Sequence, residues 1–145
     1  IKFIRIYAEN ELEKSKNFNG KDAITIFSKT IKWDDFQELI RITSEITKGI
    51  IEKSFSKSYI YKLNYINELK ELEEKIKMSN KFELSHINAF KWRAFLFYYS
   101  IRNLDETISN AIILKFTQYF DRHGSNLRIP LWLALYKTRE KHTGG

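Results

Sequence analysis

One short β-like run standing before a continuous series of helical stripes is the feature that most limits what this chain can fold into. Ala23-Ile24-Thr25-Ile26-Phe27 is β-branched and aromatic, bounded by Gly20 and by Ser28-Lys29-Thr30, and reads as a strand. A single strand cannot satisfy its own backbone donors and acceptors, so it must pair with strands outside this sequence or fold into a small local ribbon. Before it, Ile4, Ala8, Leu12 and Ser15 recur at helical spacing among charged residues, which predicts an amphipathic helix over residues 2–16. Asn17-Phe18-Asn19-Gly20 stops that helix. A helix followed by one unpartnered strand predicts the tail of a truncated domain, and the start at Ile1 without Met fits a piece of something longer.

From Trp33 onward the pattern is helical throughout. Thr30 or Asp34 can cap a helix with the stripe Phe36, Leu39, Ile40, Thr43, Ile46 and Ile50, running toward Phe55. Ser56-Lys57-Ser58 offers a joint, and Tyr65, Leu69, Leu72 and Ile76 then mark one buried stripe on an otherwise charged helix. After a connection over residues 79–83, Ser85 can cap a helix carrying Ile87, Phe90, Trp92, Phe95, Leu96, Tyr98, Tyr99 and Ile101. A helix apolar nearly all round is expected at the centre of its bundle. Asp105 leads a fourth helix that Gly124 ends, and Pro130 opens a fifth with Leu131, Leu133, Leu135 and Tyr136. The expected fold class is therefore mainly α, a bundle of about five helices over residues 33–145, preceded over residues 1–32 by the last helix and strand of a truncated domain.

Composition narrows the functional classes. The 145 residues are 43% hydrophobic and 30% charged with one Pro, which is ordinary for one globular domain and excludes a disordered or collagen-like chain. No apolar run approaches the roughly 20 residues that span a bilayer. The absence of Cys removes disulfides, thiolate metal sites and cysteine nucleophiles, and no signal segment stands at the front, so a cytoplasmic location is expected. The net charge of +7 is uneven: residues 85–145 hold nine basic and four acidic side chains, residues 1–84 sixteen and fourteen. That surplus suits phosphates, and it equally suits the solvated faces of a Lys-rich, Ile-rich and Val-free chain.

Individual residues carry competing readings. His86, His123 and His142 lie on separate elements without a zinc spacing, so no metal site is expected. Asp34-Asp35 reads as carboxylates that favour a helix N-terminus, against a hard-cation site as the rival. Phe90, Trp92, Phe95, Phe97, Tyr98 and Tyr99 read as core at helical spacing, against base stacking as the rival. Arg122, His123, Arg128, Lys137, Arg139 and Lys141 fit a solvated face, RNA phosphate or an acidic partner. Arg93 and Arg102 adjoin the most apolar helix and are expected to pair within the fold or at an interface. Lys16 and Lys21 flank the Gly20 turn, where compact ammonium charges can reach a triphosphate.

In order along the chain stand Ala8-Glu9-Asn10-Glu11-Leu12-Glu13-Lys14-Ser15-Lys16, Gly20-Lys21-Asp22-Ala23-Ile24-Thr25-Ile26-Phe27 and Trp33-Asp34-Asp35-Phe36. This succession resembles the closing helix and strand of a GGDEF-type palm and, more closely, the end of the second palm in the large subunit of type III-A (Csm-type) CRISPR interference complexes. Phe90-Lys91-Trp92-Arg93, Tyr98-Tyr99-Ser100-Ile101-Arg102-Asn103, Ile129-Pro130-Leu131-Trp132 and Ala134-Leu135-Tyr136-Lys137-Thr138-Arg139 resemble that subunit's C-terminal helical domain. The resemblance implies a ferredoxin-like palm ending at residue 32 and a helical domain over 33–145 that is similar to the complex's small subunit. It implies a parent enzyme that makes cyclic oligoadenylates from ATP when target RNA binds. The implied metal is magnesium or manganese on a Gly-Gly-Asp-Asp motif, and an HD domain of the parent cuts single-stranded DNA. Neither motif occurs here, so no catalytic residue is expected in this segment. By the same resemblance Lys16 and Lys21 face the ATP phosphates, and Arg122, Arg128 and Arg139 are candidate contacts to the crRNA–target duplex. The implied partners are the rest of the large subunit, the small helical subunit and other subunits, crRNA and target RNA, with no membrane. Two other readings stand beside it: a stand-alone helical nucleic-acid-binding module, and a small structural partner protein.

Overall fold

A computed structural model describes residues 23–26 and 29–143, with side chains described over residues 31–139. The helix expected over residues 2–16, the Gly20 turn, Lys16, Lys21 and Phe27 lie outside the described residues. The described chain is mainly helical: two strands, β1 (Ala23–Ile26) and β2 (Lys29–Lys32), precede five α-helices, α1 (Trp33–Ile51), α2 (Lys57–Ser79), α3 (Trp92–Asn103), α4 (Glu106–His123) and α5 (Arg128–Thr143). Three-ten turns cover Leu84–Lys91 and Gly124–Leu127. By contacts the chain divides into two compact units, one running to Ile51 and resuming at Arg128, the other Glu52–Leu127.

In the first unit β1 pairs antiparallel with β2, Ala23 opposite Lys32 and Ile26 opposite Lys29. The expected strand thus takes the local-ribbon solution, with a partner that Ser28-Lys29-Thr30 did not announce in the sequence. α1 starts directly after β2 with Asp34 and Asp35 in its first turn, where two carboxylates complement the positive end of the macrodipole. Its buried stripe is Leu39, Ile42, Thr43, Ile46 and Gly49, so Ile40 turns to the surface. Thr43 satisfies its buried hydroxyl on Leu39 O at 2.8 Å. α1 packs on α5, whose Ile129, Leu131, Leu133, Ala134 and Leu135 are buried. Pro130 is the third residue of α5 rather than its opening one, and its missing N–H is harmless in a first turn.

The second unit is organised by α2. Ser56 Oγ accepts the Tyr59 N–H at 3.2 Å and starts the helix, and Asn80, in the left-handed region at φ 56°, ends it. Tyr59, Ile60, Leu63 and Ile66 have no measurable exposure, while Tyr65 is exposed. Of the expected stripe, Leu69 and Ile76 are buried and Leu72 is half-buried, whereas Tyr65 is exposed, and the buried stripe begins earlier, at Tyr59. α3, α4 and both three-ten turns complete this unit, with Trp92, Leu96 and Phe120 at the centre.

Residues 84–103 correct an expectation. Residues Leu84–Lys91 form three-ten turns, and only from Trp92 is the helix α. Ser85 does not cap; its hydroxyl turns to Glu83 Oε2 at 3.5 Å. Nor is α3 enclosed: Trp92, Leu96 and Ser100 are buried, whereas Phe97, Tyr98 and Ile101 are about half exposed. A 12-residue helix seated on α2 and α4 along one stripe leaves its other faces to solvent. Among the described residues no helix is long and apolar enough to cross a membrane.

One of two adjacent carboxylates ties α2 down. Glu74 Oε1 and Oε2 accept the Ser125 N–H and hydroxyl at 2.8 and 2.9 Å. Gly124, at φ +59°, leaves space for this, since a Cβ there would stand 2.5 Å from Glu74 Oε1. Gly124→Ala is expected to destabilise the chain by at least about 2 kcal/mol in urea denaturation, by combining backbone strain with a displaced carboxylate. Glu73, one residue earlier, is buried and meets Lys77 Nζ at 2.8 Å and Lys70 Nζ at 3.5 Å. Burial pushes its carboxyl up, but the two lysines outweigh that and hold it below the ordinary carboxylate range. A depressed folded value stabilises above the unfolded value, about 4.3, and that contribution disappears as pH falls through the folded one. Thermal denaturation should accordingly show Glu73→Gln less stable than wild type at neutral pH, with the gap narrowing below about pH 4.

Candidate functional site

The first three turns of α2 put Ser58, Tyr61, Lys62 and Tyr65 at i, i+3, i+4 and i+7, a single face. Opposite them Tyr99 of α3 completes an open groove of about 640 Å³. Its aromatic wall is continuous: Tyr65 meets Phe95 and Tyr99 edge-on at 6.1 and 6.4 Å, and Phe95 and Tyr99 lie nearly parallel at 6.2 Å. Tyr98 follows at 5.5 Å from Tyr99. Two cations rest on this wall. Lys62 Nζ lies 5.0 Å from the Tyr99 centroid, and the Arg102 guanidinium lies 5.3 Å from that of Tyr98, whose hydroxyl it also reaches at 3.1 Å. Tyr61 is 56% exposed and Tyr65 38%, so aromatic surface faces solvent here.

Beneath the groove, Tyr59 OH and Ser100 Oγ share a hydrogen bond of 2.6 Å with no exposure on either residue. Burial drives the Tyr59 hydroxyl up to about 12, partly offset by the bond to Ser100, so it stays neutral. Because Ser58 precedes Tyr59 and Tyr99 precedes Ser100, this bond joins the two groove walls. Ser100→Ala, which strands a buried hydroxyl, should cost about 1–3 kcal/mol in chemical denaturation. Adding Tyr59→Phe should recover part of that loss, the coupling that a double-mutant cycle reads.

The aromatic cluster singled out in the sequence is thus divided. Trp92 is core, Phe95 and Tyr99 are half-buried in the wall, and Phe90, Phe97 and Tyr98 are exposed, which corrects the expectation of a core helix. Arg93 and Arg102 do pair within the fold: Arg93 binds Asp121 and stacks 4.4 Å from the Trp92 ring, and Arg102 holds Tyr98. Arg122 is exposed in the last turn of α4, where a cation complements the helix dipole. Arg128, half-buried, and Arg139, exposed, sit three turns apart on α5, in the other unit from Arg122. Asp34 and Asp35 serve the start of α1, and among the described residues no three His, Asp or Glu side chains stand together as a metal site.

Sequence reasoning missed Ser58, Tyr61 and Lys62 and placed Tyr65 in a buried stripe. A signal was present. No carboxylate occurs from Lys53 to Asn67 or from Leu84 to Leu104, the two segments that build the groove. Comparison with family models, curated proteins and solved structures finds no match to this chain.

Proposed function

We propose that this chain is the C-terminal part of the large subunit of a type III-A CRISPR interference complex. The observation that carries the reading is the order of its motifs, from Lys16 and Lys21 through Ala23–Ile26 and Trp33-Asp34-Asp35-Phe36 to Ile129-Pro130-Leu131-Trp132. Residues 1–32 end the second palm, and residues 33–145 form a helical domain that docks on the small subunit beside the crRNA–target duplex. The helical character of the described residues after Trp33 is consistent with that role. Duplex RNA is bound by shape and charge, for which Arg122, Arg128 and Arg139 are the candidates.

In this reading the parent converts ATP to cyclic oligoadenylates, and this segment supplies charge rather than chemistry. Lys16 and Lys21 offset the triphosphate. The described residues offer no cluster for the metal, which the reading assigns to other parts of the parent. A second reading, a stand-alone helical nucleic-acid-binding module, draws support from the ribbon, because β1 finds a partner inside the chain.

Purification of the tagged full protein from its own cells distinguishes the two. Co-purified crRNA and small subunit, with ATP- and magnesium-dependent cyclic oligoadenylate formed on target RNA, is the expected result; loss of all three overturns the large-subunit reading. Within an active complex, Lys16→Ala plus Lys21→Ala should lower product by about 10-fold or more with assembly intact. Unchanged synthesis would leave the segment as a docking scaffold only.

A further inference from the structure

We infer that the groove between α2 and α3 binds single-stranded nucleic acid, seating bases against Tyr61 and Tyr65 and a phosphate on Lys62. The inference uses the exposed groove and not the family resemblance.

Shape comes first. Tyr61 and Tyr65 lie one turn apart, a rise of about 6 Å, too far for continuously stacked bases and suited to a strand whose bases are splayed. A volume of about 640 Å³ lies in the range that holds one to two nucleotides. Base–aromatic stacking tolerates any sequence, because every base has a π-face.

Charge selects the occupant. An aromatic groove also suits a proline-rich peptide, which needs no cations. Here the two wall segments, residues 53–67 and 84–104, contain Lys53, Lys57, Lys62, Lys91, Arg93 and Arg102 and not one Asp or Glu. Arg93 is committed to Asp121, but Lys62 keeps its ammonium at the groove wall over Tyr99 and Arg102 stands over Tyr98. Within a chain of net charge +7, an aromatic groove lined by Lys62 and by no carboxylate, with Glu68 one turn beyond Tyr65 at its end, matches a polyanion carrying π-faces.

The test is photo-crosslinking of the full chain to a 12-nucleotide oligouridylate carrying 4-thiouridine, with the attached peptides mapped by mass spectrometry. Crosslinks at Tyr61, Tyr65 or Tyr99 support the inference. Crosslinks confined to other peptides, or none, overturn it while leaving the large-subunit reading standing. In fluorescence anisotropy with the same oligomer, Tyr61→Leu should weaken binding by about 5-fold or more and Tyr61→Phe by less than about 2-fold. Lys62→Gln should lower the slope of log affinity against log salt by about one. A loss of that size in Tyr61→Leu with oligouridylate or oligodeoxyuridylate supports the inference, the larger loss marking the preferred strand. Wild-type affinity in both Tyr61 variants, or a proline-rich peptide bound in place of either oligomer, overturns it.

Discussion

Tyr59 reaches across from α2 to Ser100 on α3 at 2.6 Å, while its ring meets Phe55 at 6.1 Å and the edge of Phe116 on α4 at 6.5 Å. One fully buried side chain therefore joins three helices of the Glu52–Leu127 unit. The phenol suits this position because it brings a large apolar ring together with one hydroxyl that must be satisfied. Ser100, small and polar, is the complement that lets α3 approach closely and answer that hydroxyl. The aromatic groove adjoins this seam, because Ser58 precedes Tyr59 and Tyr99 precedes Ser100 in the chain.

Farther along α2 the same helix is fastened by charge. Glu73 is held by lysines of its own helix, at i−3 and i+4, so that its burial needs no other element. Glu74 instead turns to the Gly124–Leu127 turns and binds Ser125. Gly124 is required because the backbone enters a positive-φ conformation against that carboxylate. Adjacent acidic residues thus face about 100° apart on the helix and have different tasks, one local and one tertiary.

The exposure of α3 follows from its seating along one stripe. Aromatic rings that would stabilise a core if enclosed are instead presented beside Lys62 and Arg102. Stacked cations lower the cost of leaving rings in water and add positive potential at their faces. The exposed Arg93–Asp121 pair joins the start of the same helix to the last turn of α4.

What was legible in the sequence is local. The strand at Ala23–Ile26, the helix start after Asp105 and the stop at Gly124 follow from propensities and caps within a few residues, and the structure places them there; Ser56-Lys57-Ser58 reads as a joint, but the helix already begins at Lys57. Arg93 and Arg102, expected beside an apolar helix to pair within the fold or at an interface, pair within the fold. Which face of each helix is covered was not. Successive residues rotate by about 100°, and α3 is apolar nearly all round, so its sequence contains no direction in which to point. That choice was made by the Tyr59–Ser100 bond and the Trp92–Phe120 contact, whose partners are 41 and 28 residues apart in the chain. The sequence alone determined the helix start after Asp105 and the stop at Gly124, because those interactions are short-range, whereas the starts at Trp92 and Arg128 departed from it; tertiary packing decided that Tyr61, Tyr65 and Tyr99 line one groove, because burial depends on what a distant segment brings to each face.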